Sequence, residues 1–365
     1  MYRTYVSIHF SAAFTVVVLL AIFGALALRH LAAQQPLHRF PSGSRDLPSL
    51  NLSKELVRNL THTLPKRFQF FLNEFEQHSC EITKVVHQTW KTELVNARYA
   101  KYISSWQAMN KGWKYSFTTN DMNRAFIQSK YPEFLQIYDT YKTDIQRADF
   151  VRYFLLYEYG GVYADIDFEA LKPLDLAISK EQSCIIGQEP FEHAHVLYDV
   201  PRIICNAVML SCPRHPFWLI VFQELVSRRH IKTVRATGPK MLSAALNKYD
   251  RLLRQIKSRK AYRSETNPLL PSVVVPSPSL FYPYFDDRNT NHYRICGQKQ
   301  MSNRRRKACD RLQAQHYRNN KTSLENAIAI HHWEHTWHRQ NEIVTGAHSI
   351  DSVVASAGGT RVYLL

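Results

Sequence analysis

The chain has 365 residues, enough for one large domain with appendages, and 45% hydrophobic and 12% aromatic residues exclude a disordered or fibrous protein. A balance of 47 Lys+Arg against 30 Asp+Glu gives a net charge of +17, which suits nucleic acid, an acidic membrane surface or a phosphorylated small molecule. Six cysteines without a Cys-x-x-Cys pair exclude the common structural zinc spacings.

From Val6 to Leu28 no residue is charged, and "AAFTVVVLLAIFGALAL" is almost wholly apolar. A bilayer core takes roughly 20 such residues as a helix, so residues 1–5 read as a short tail and 6–28 as a transmembrane signal anchor. A cleaved signal peptide competes, because "ALALRHLAA" offers small residues for cleavage; the apolar run exceeds the usual ~7–15 of such peptides, which favours the anchor. Arg29, His30, Arg39 and Arg45 follow the segment and argue for a cytosolic body. Glycosylation triplets at Asn51, Asn59 and Asn320 argue for a lumenal one. Residues 29–80, with Pro36, Pro41, Pro48 and Pro65, read as a stem.

At "CEITKVVHQTWK" the character changes, and Ile82, Val85 and Val86 predict a buried first strand. "YSFTTNDM" predicts a second strand and a helix start capped by Asn120 or Asp121. Helical periodicity over 122–157 breaks near Tyr131-Pro132. Gly160-Gly161, the strand "VYADID", and apolar runs at "SCIIGQ" and "ICNAVMLS" follow. "HPFWLIVFQELVSRR" predicts an amphipathic helix, 266–285 loop and short strand, and the last twenty residues weak order. Alternating helix, strand and loop predict an α/β domain over 81–345 and a C-terminal tail over 346–365. Cys296 and Cys309 bracket a basic loop and suit either a disulfide or buried thiols. The run Arg304-Arg305-Arg306-Lys307 reads as solvated rather than as a nuclear signal.

The chemistry gathers in "DIQRADFVRYFLLYEYGGVYADID". Asp149 and Arg152, three apart in a helical pattern, share one face. Glycines end that helix cheaply. In the strand that follows, Tyr163, Asp165 and Asp167 share a face, with Cα atoms of successive members about 6.5–7 Å apart. If the strand ends there, both carboxylates turn to one hard cation, and such oxygen ligands suit Mg2+ or Mn2+ bridging substrate phosphates. Taken alone, Asp-x-Asp is a common strand end, and an Asp149–Arg152 surface pair is worth little.

The order Asp149, Arg152, Gly160-Gly161, Tyr163, Asp165, Asp167 resembles the sugar-binding region of the "DXD" glycosyltransferases (family 32), within them the fungal initiating α-1,6-mannosyltransferase and inositol-phosphoceramide mannosyltransferase group. "VVHQTWKT" at 85–92, "NAVMLSCPRHPF" at 206–217, "TGP" at 237–239 and "HHWEHTW" at 331–337 agree with that group, so the resemblance spans roughly residues 81–340. It implies a GT-A (Rossmann-like) fold, a nucleotide-sugar donor, Mn2+ or Mg2+, and retaining transfer. By the same resemblance Asp165 and Asp167 hold metal and diphosphate, and Asp149 and Arg152 contact the donor's ribose and sugar. His87 and Gln88 line the nucleotide pocket, and Asn206 lies near the donor sugar. Thr336 and Trp337 match a "SW" motif closing over the diphosphate, with Thr for Ser. His331 and His332 are candidates for a further metal ligand, His332 being the one favoured, or for a phosphate contact, or are structural. Glu189 in "GQEP" is a candidate nucleophile, or else structural or acceptor-side.

Two departures stand out. Ala207 occupies a position where some relatives carry aspartate, and the C-terminus lacks the extra apolar spans of the sphingolipid enzymes. The layout is similar to the single-anchor Golgi type, which implies a type II protein with a lumenal catalytic domain. The expectation is a metal-dependent hexosyltransferase using GDP-mannose on a glycan or glycolipid acceptor. UDP-galactose or UDP-N-acetylglucosamine is the alternative donor, and a non-catalytic membrane-anchored glycan-binding protein the alternative class. The anchor and the lack of any nucleic-acid module argue against nucleic acid as partner.

Overall fold

The computed structural model describes residues 80–231, 234–258, 271–314, 324–335 and 346–364. The expected anchor and nearly all of the stem, the three glycosylation triplets, Thr336 and Trp337 lie outside the described residues. Among the described residues no helix is long and apolar enough to cross a membrane.

Strand β1 (Val85–Thr89) is buried throughout, as its β-branched start predicts. Short β2 (Leu94–Val95) leads to α1 (Ala97–Met109), capped by the Asn96 side chain. After β3 (Lys114–Thr118), Thr119 caps α2 (Asn120–Lys130); the cap is one residue before the expected Asn120 or Asp121. Pro132 starts α3 (Pro132–Thr140), and α4 (Asp144–Tyr159) follows after a further break at Tyr141.

Glycine brings α4 back to the sheet. Gly160 and Gly161 adopt φ of 64° and 87°, and a Cβ on Gly161 would lie 2.4 Å from the Val85 carbonyl oxygen. Only glycine permits both the conformation and the approach. Strand β4 (Gly161–Ala164) thus lies directly against β1, pairing Val86 with Val162 and His87 with Tyr163.

Strands β5 (Phe168–Ala170), β6 (Cys184–Gln188) and β7 (Ile204–Ser211) precede the helices α5 (Phe217–Ser227) and α6 (Pro239–Ser258). Helix α5, expected to be amphipathic, is buried nearly all round, because Trp218 and Phe222 pack toward α4 while its other face meets α6. Helices α7 (Asn291–Cys296) and α8 (Asn303–Ala314) form a hairpin closed by the Cys296–Cys309 disulfide. A second disulfide, Cys80–Cys212, ties the start of the domain to the end of β7, and Cys184 and Cys205 are buried free thiols.

The main sheet has the order β3-β1-β4-β7-β6, with β3, β1 and β4 parallel and β7 antiparallel to both neighbours. Apolar layers cover both faces: α4, α5 and α6 on one, α1 and the C-terminal segment on the other. Two small ladders complete the domain: β5 with β8 (Ala329–His331) and β2 with β9 (His348–Ser349). The segment expected as a weakly ordered tail carries β9 and helix α9 (Ile350–Ser356), whose Ile350, Val353 and Val354 are buried against the core.

Candidate active site

A cavity of about 340 Å³ opens where the parallel strands β1 and β4 end, beside the start of antiparallel β7. The carboxyl ends of parallel strands are where open α/β sheets bind ligands. At this edge β4 does not run on through the Asp-x-Asp motif. Strand pairing stops at Ala164, and the Phe168 N–H donates to the Asp165 carbonyl at 3.0 Å, closing a turn that carries Ile166 and Asp167. The two carboxylates therefore meet through a turn rather than through strand alternation. Asp165 Oδ1 accepts from Tyr163 Oη at 2.9 Å and pairs with Arg152 Nη1 at 3.1 Å. Asp167 Oδ2 accepts the Glu334 N–H at 3.0 Å, and its Oδ1 lies 3.3 Å from His331 Nε2.

Beside them stands a buried network from α4. Arg152, 2% exposed, pairs through Nη2 with Asp149 Oδ1 at 3.1 Å and donates through Nη1 to the Asn206 carbonyl at 2.8 Å. Its Nε donates to the Ala148 carbonyl at 3.2 Å, and its guanidinium lies over the Tyr163 ring, 4.6 Å from the centroid. Asp149 also accepts from Asn206 Nδ2 at 2.7 Å and Thr237 Oγ1 at 3.0 Å. The three-residue spacing thus makes a buried pair, not a surface one. Arg152 spends its donors on protein oxygens, so it positions the carboxylates and carries charge at the cavity wall.

Several expected site residues fall elsewhere. His87 is fully buried in β1 with Nε2 2.9 Å from the Gly160 carbonyl oxygen, and burial pushes its imidazole down to about 4. Gln88 donates to the Asp165 backbone carbonyl at 3.1 Å and accepts from Tyr115 Oη at 2.7 Å, steadying the turn from behind. The cavity is lined instead by the three residues that follow, Thr89, Trp90 and Lys91. His332 turns away from the aspartates to Glu169, at 2.9 Å, and stacks on Tyr102. The histidine brought to Asp167 is His331. In the β5–β8 ladder His331 pairs with Phe168, and consecutive residues point to opposite faces, so only one of the two histidines can face the aspartates.

The loop after β8 holds residues that no sequence motif assigned a task. Trp333 and His335 adopt left-handed φ of 52° and 50°, a strained conformation in non-glycine residues. Glu334 is clamped by Arg288 and by Arg98 at 3.2 Å, which holds its backbone N–H on Asp167. Thr237, in the "TGP" segment, was visible only as a motif; its hydroxyl orients Asp149.

Asp165, Asp167 and His331 each offer a ligand atom, all within 4.8 Å of one another. Two carboxylates and an imidazole suit Mn2+ or Mg2+. His331 Nδ1 is buried without a hydrogen-bond partner, so the ring is not committed elsewhere. Burial pushes the Asp165 carboxyl up to about 6, against the pull of Arg152. Burial also opposes ionisation of Asp167, but His331 and the Glu334 N–H prevail and hold it below the usual range. For His331, burial disfavours the proton, yet the adjacent Asp167 carboxylate raises its pKa overall. Two carboxylates facing one imidazole, one of them costly to ionise, form a site that a divalent cation would relieve.

Comparison with known proteins finds relatives for the segment that carries this site. Residues 96–184, which contain Asp149, Arg152, Asp165 and Asp167, match the family described as glycosyltransferase sugar-binding region containing DXD motif. The chain is related to glycosyltransferase enzymes, several of them named mannosyltransferases. It is 33% identical over 178 residues to Inositol phosphoceramide mannosyltransferase 2 of Schizosaccharomyces pombe, covering 47% of this chain and 48% of that protein. Inositol phosphoceramide mannosyltransferase 3 of the same yeast is 34% identical over 177 residues, with 46% of each chain covered. The Initiation-specific alpha-1,6-mannosyltransferase of Saccharomyces cerevisiae is 29% identical over 195 residues, covering 46% of this chain and 40% of that one. The chain spans about half the length of the curated relatives it matches. Among solved structures, PaToxG Glycosyltransferase aligns with a TM-score of 0.34 and 14% identity, over 59% of this chain and 92% of that one.

Proposed function

We propose that the chain is a metal-dependent, retaining hexosyltransferase of GT-A fold that transfers mannose from GDP-mannose to a glycan or glycolipid acceptor. The observation that carries this reading is the convergence of Asp165, Asp167 and His331 in one cavity beside the buried Asp149–Arg152 pair. A divalent ion held by those three side chains, Mn2+ or Mg2+, would supply charge for a leaving diphosphate.

The protein's own residues do the remaining work. Arg152 keeps a permanent positive charge at the wall and fixes Asp165. Asp149 is oriented by three neighbours on α4, β7 and the Thr237 segment, so its remaining acceptor capacity suits sugar or ribose hydroxyls. Trp90, Trp333 and Tyr198 give the cavity aromatic walls. The mannose donor rests on the similarity to proteins named mannosyltransferases, and an inositol phosphoceramide acceptor on two of those names.

In the same reading the protein is a single-pass type II protein of the Golgi membrane, with the described domain in the lumen. The apolar stretch from Val6 to Leu28 and the two disulfides support this, because disulfides persist in oxidising compartments. The test is hydrolysis of GDP-mannose, UDP-galactose and UDP-N-acetylglucosamine by the purified full-length chain, with Mn2+ and with chelator. Chelator-sensitive release of GDP alone is the expected result. UDP release alone would replace the donor, and no turnover of any sugar nucleotide would remove the reading.

A further inference from the structure

The cavity has a second polar wall to which the donor reading gives no task. Glu189 follows β6, where its N–H donates to the Ile203 carbonyl at 3.0 Å and fixes the chain's exit from the strand. Its side chain lines the cavity and is only 7% exposed. Glu189 Oε2 lies 3.0 Å from His193 Nδ1. His193 Nε2 accepts the Asp286 backbone N–H at 3.0 Å. In the neutral ring that bond places the imidazole proton on Nδ1, so His193 donates to Glu189. Phe285 and Trp333 meet the His193 ring edge-on at 4.5 Å and hold it in place. The Asp286 carboxylate pairs with His335 at 2.7 Å, and His335 returns to the cavity wall. A buried carboxylate is thus oriented from behind by a completed hydrogen-bond chain while it faces the space shared with the Asp165–Asp167 turn.

We propose that Glu189 is the acceptor-hydroxyl subsite: its carboxylate accepts a hydrogen bond from the attacking hydroxyl of a sugar or polyol acceptor, or from water when no acceptor is bound. His193 is its positioning residue. This inference rests on the glycosyltransferase reading. In the transfer, the bond from the anomeric carbon to the leaving phosphate oxygen breaks and the bond to the hydroxyl oxygen forms. The hydroxyl proton ends on the departing phosphate oxygen, so Glu189 orients the attack and is not itself glycosylated.

Water as the smallest acceptor makes the test independent of the natural one. Full-length protein is assayed with Mn2+ and GDP-mannose for acceptor-free hydrolysis, and with GDP by calorimetry. Glu189→Gln keeps the shape and weakens the acceptor, and is expected to lower kcat about 10- to 100-fold, the range for a hydrogen bond to a charged group. Its KM for GDP-mannose and its affinity for GDP stay within about twofold, as expected when only a transition-state contact is lost. His193→Asn, whose amide can donate from the position of Nδ1, retains more activity than His193→Phe. Overturning results are a Glu189→Gln rate equal to wild type, a parallel loss of rate and GDP binding, or a wild-type mass gain of one hexose on Glu189. Wild-type protein that hydrolyses no sugar nucleotide removes the glycosyltransferase reading itself, and this inference with it.

Discussion

Replacing Arg152 by methionine removes one cation from between two carboxylates without opening a large cavity. Its guanidinium meets Asp149 and Asp165, each at 3.1 Å, and donates to the carbonyls of Asn206 and Ala148. Arg152 at 2% and Asp149 at 3% exposure are beyond the reach of bulk water, whereas Asp165, with 28% of its side chain exposed at the cavity, is partly served by it, so the cost falls mainly on Asp149. Breaking a buried ion pair by deleting one partner costs about 3–5 kcal/mol, because the surviving charge is left uncompensated. Urea unfolding is the assay: with a slope near 3 kcal/mol/M, the midpoint falls by about 1–1.7 M at unchanged slope. Arg152→Lys recovers only part, since an ammonium cannot fork to both carboxylates. Asp149→Asn in the methionine background restores some stability by removing one orphaned charge. A loss below about 1 kcal/mol at unchanged slope would refute the reasoning, because that is the yield of a solvent-exposed pair.

Asp165, pushed up to about 6 by burial, and His331, raised by the adjacent Asp167 carboxylate against the pull of burial, must both lose a proton to bind metal. Mn2+ affinity measured by calorimetry is therefore expected to fall about a hundredfold per pH unit below about 6. The Asp165 shift stabilises the metal-free protein at low pH: the contribution is complete below about 3.9, the unfolded value, and disappears as pH rises through about 6. Asp165→Asn removes that pH dependence of stability. Gly161→Ala places a Cβ 2.4 Å from the Val85 carbonyl oxygen at a φ of 87°, so it is expected to lower the urea midpoint or abolish soluble expression, whereas Gly112→Ala, with open space at its Cβ, has a milder effect. Thiol titration of the unfolded, unreduced domain is expected to count Cys184 and Cys205 but not the four bridged cysteines. Losing the Cys80–Cys212 bridge through Cys212→Ser costs about 2–4 kcal/mol, given the long loop it closes.

Much of the fold was legible because its signals are local. The β-branched run at Val85 and Val86, the Gly160-Gly161 break and the apolar runs of β6 and β7 all appear as elements close to where their patterns place them. Errors arose where tertiary burial overrides pattern. Tyr141 interrupts a stretch whose helical periodicity shows only one break. Helix α5 is buried on faces that its polar residues mark as exposed, and the C-terminal residues gain order only by packing on the core.

For the site, the sequence by itself determined which residue types stand at fixed local spacing: Asp149 and Arg152 on one helical face, Asp165 and Asp167 two residues apart, and the glycines that join them. Asp149 and Arg152 share a face by helix period alone, whereas the aspartates meet through a turn that the strand pattern did not show. Only the tertiary structure decided which distant groups complete the site. His331 rather than His332 reaches Asp167, Thr89 to Lys91 rather than His87 and Gln88 line the cavity, and Glu189 faces it held by His193. These choices depend on the register of the β5–β8 ladder and on where β1 and β6 end. A shift of one residue in either would turn the opposite side chain inward, and nothing in the local sequence sets that register.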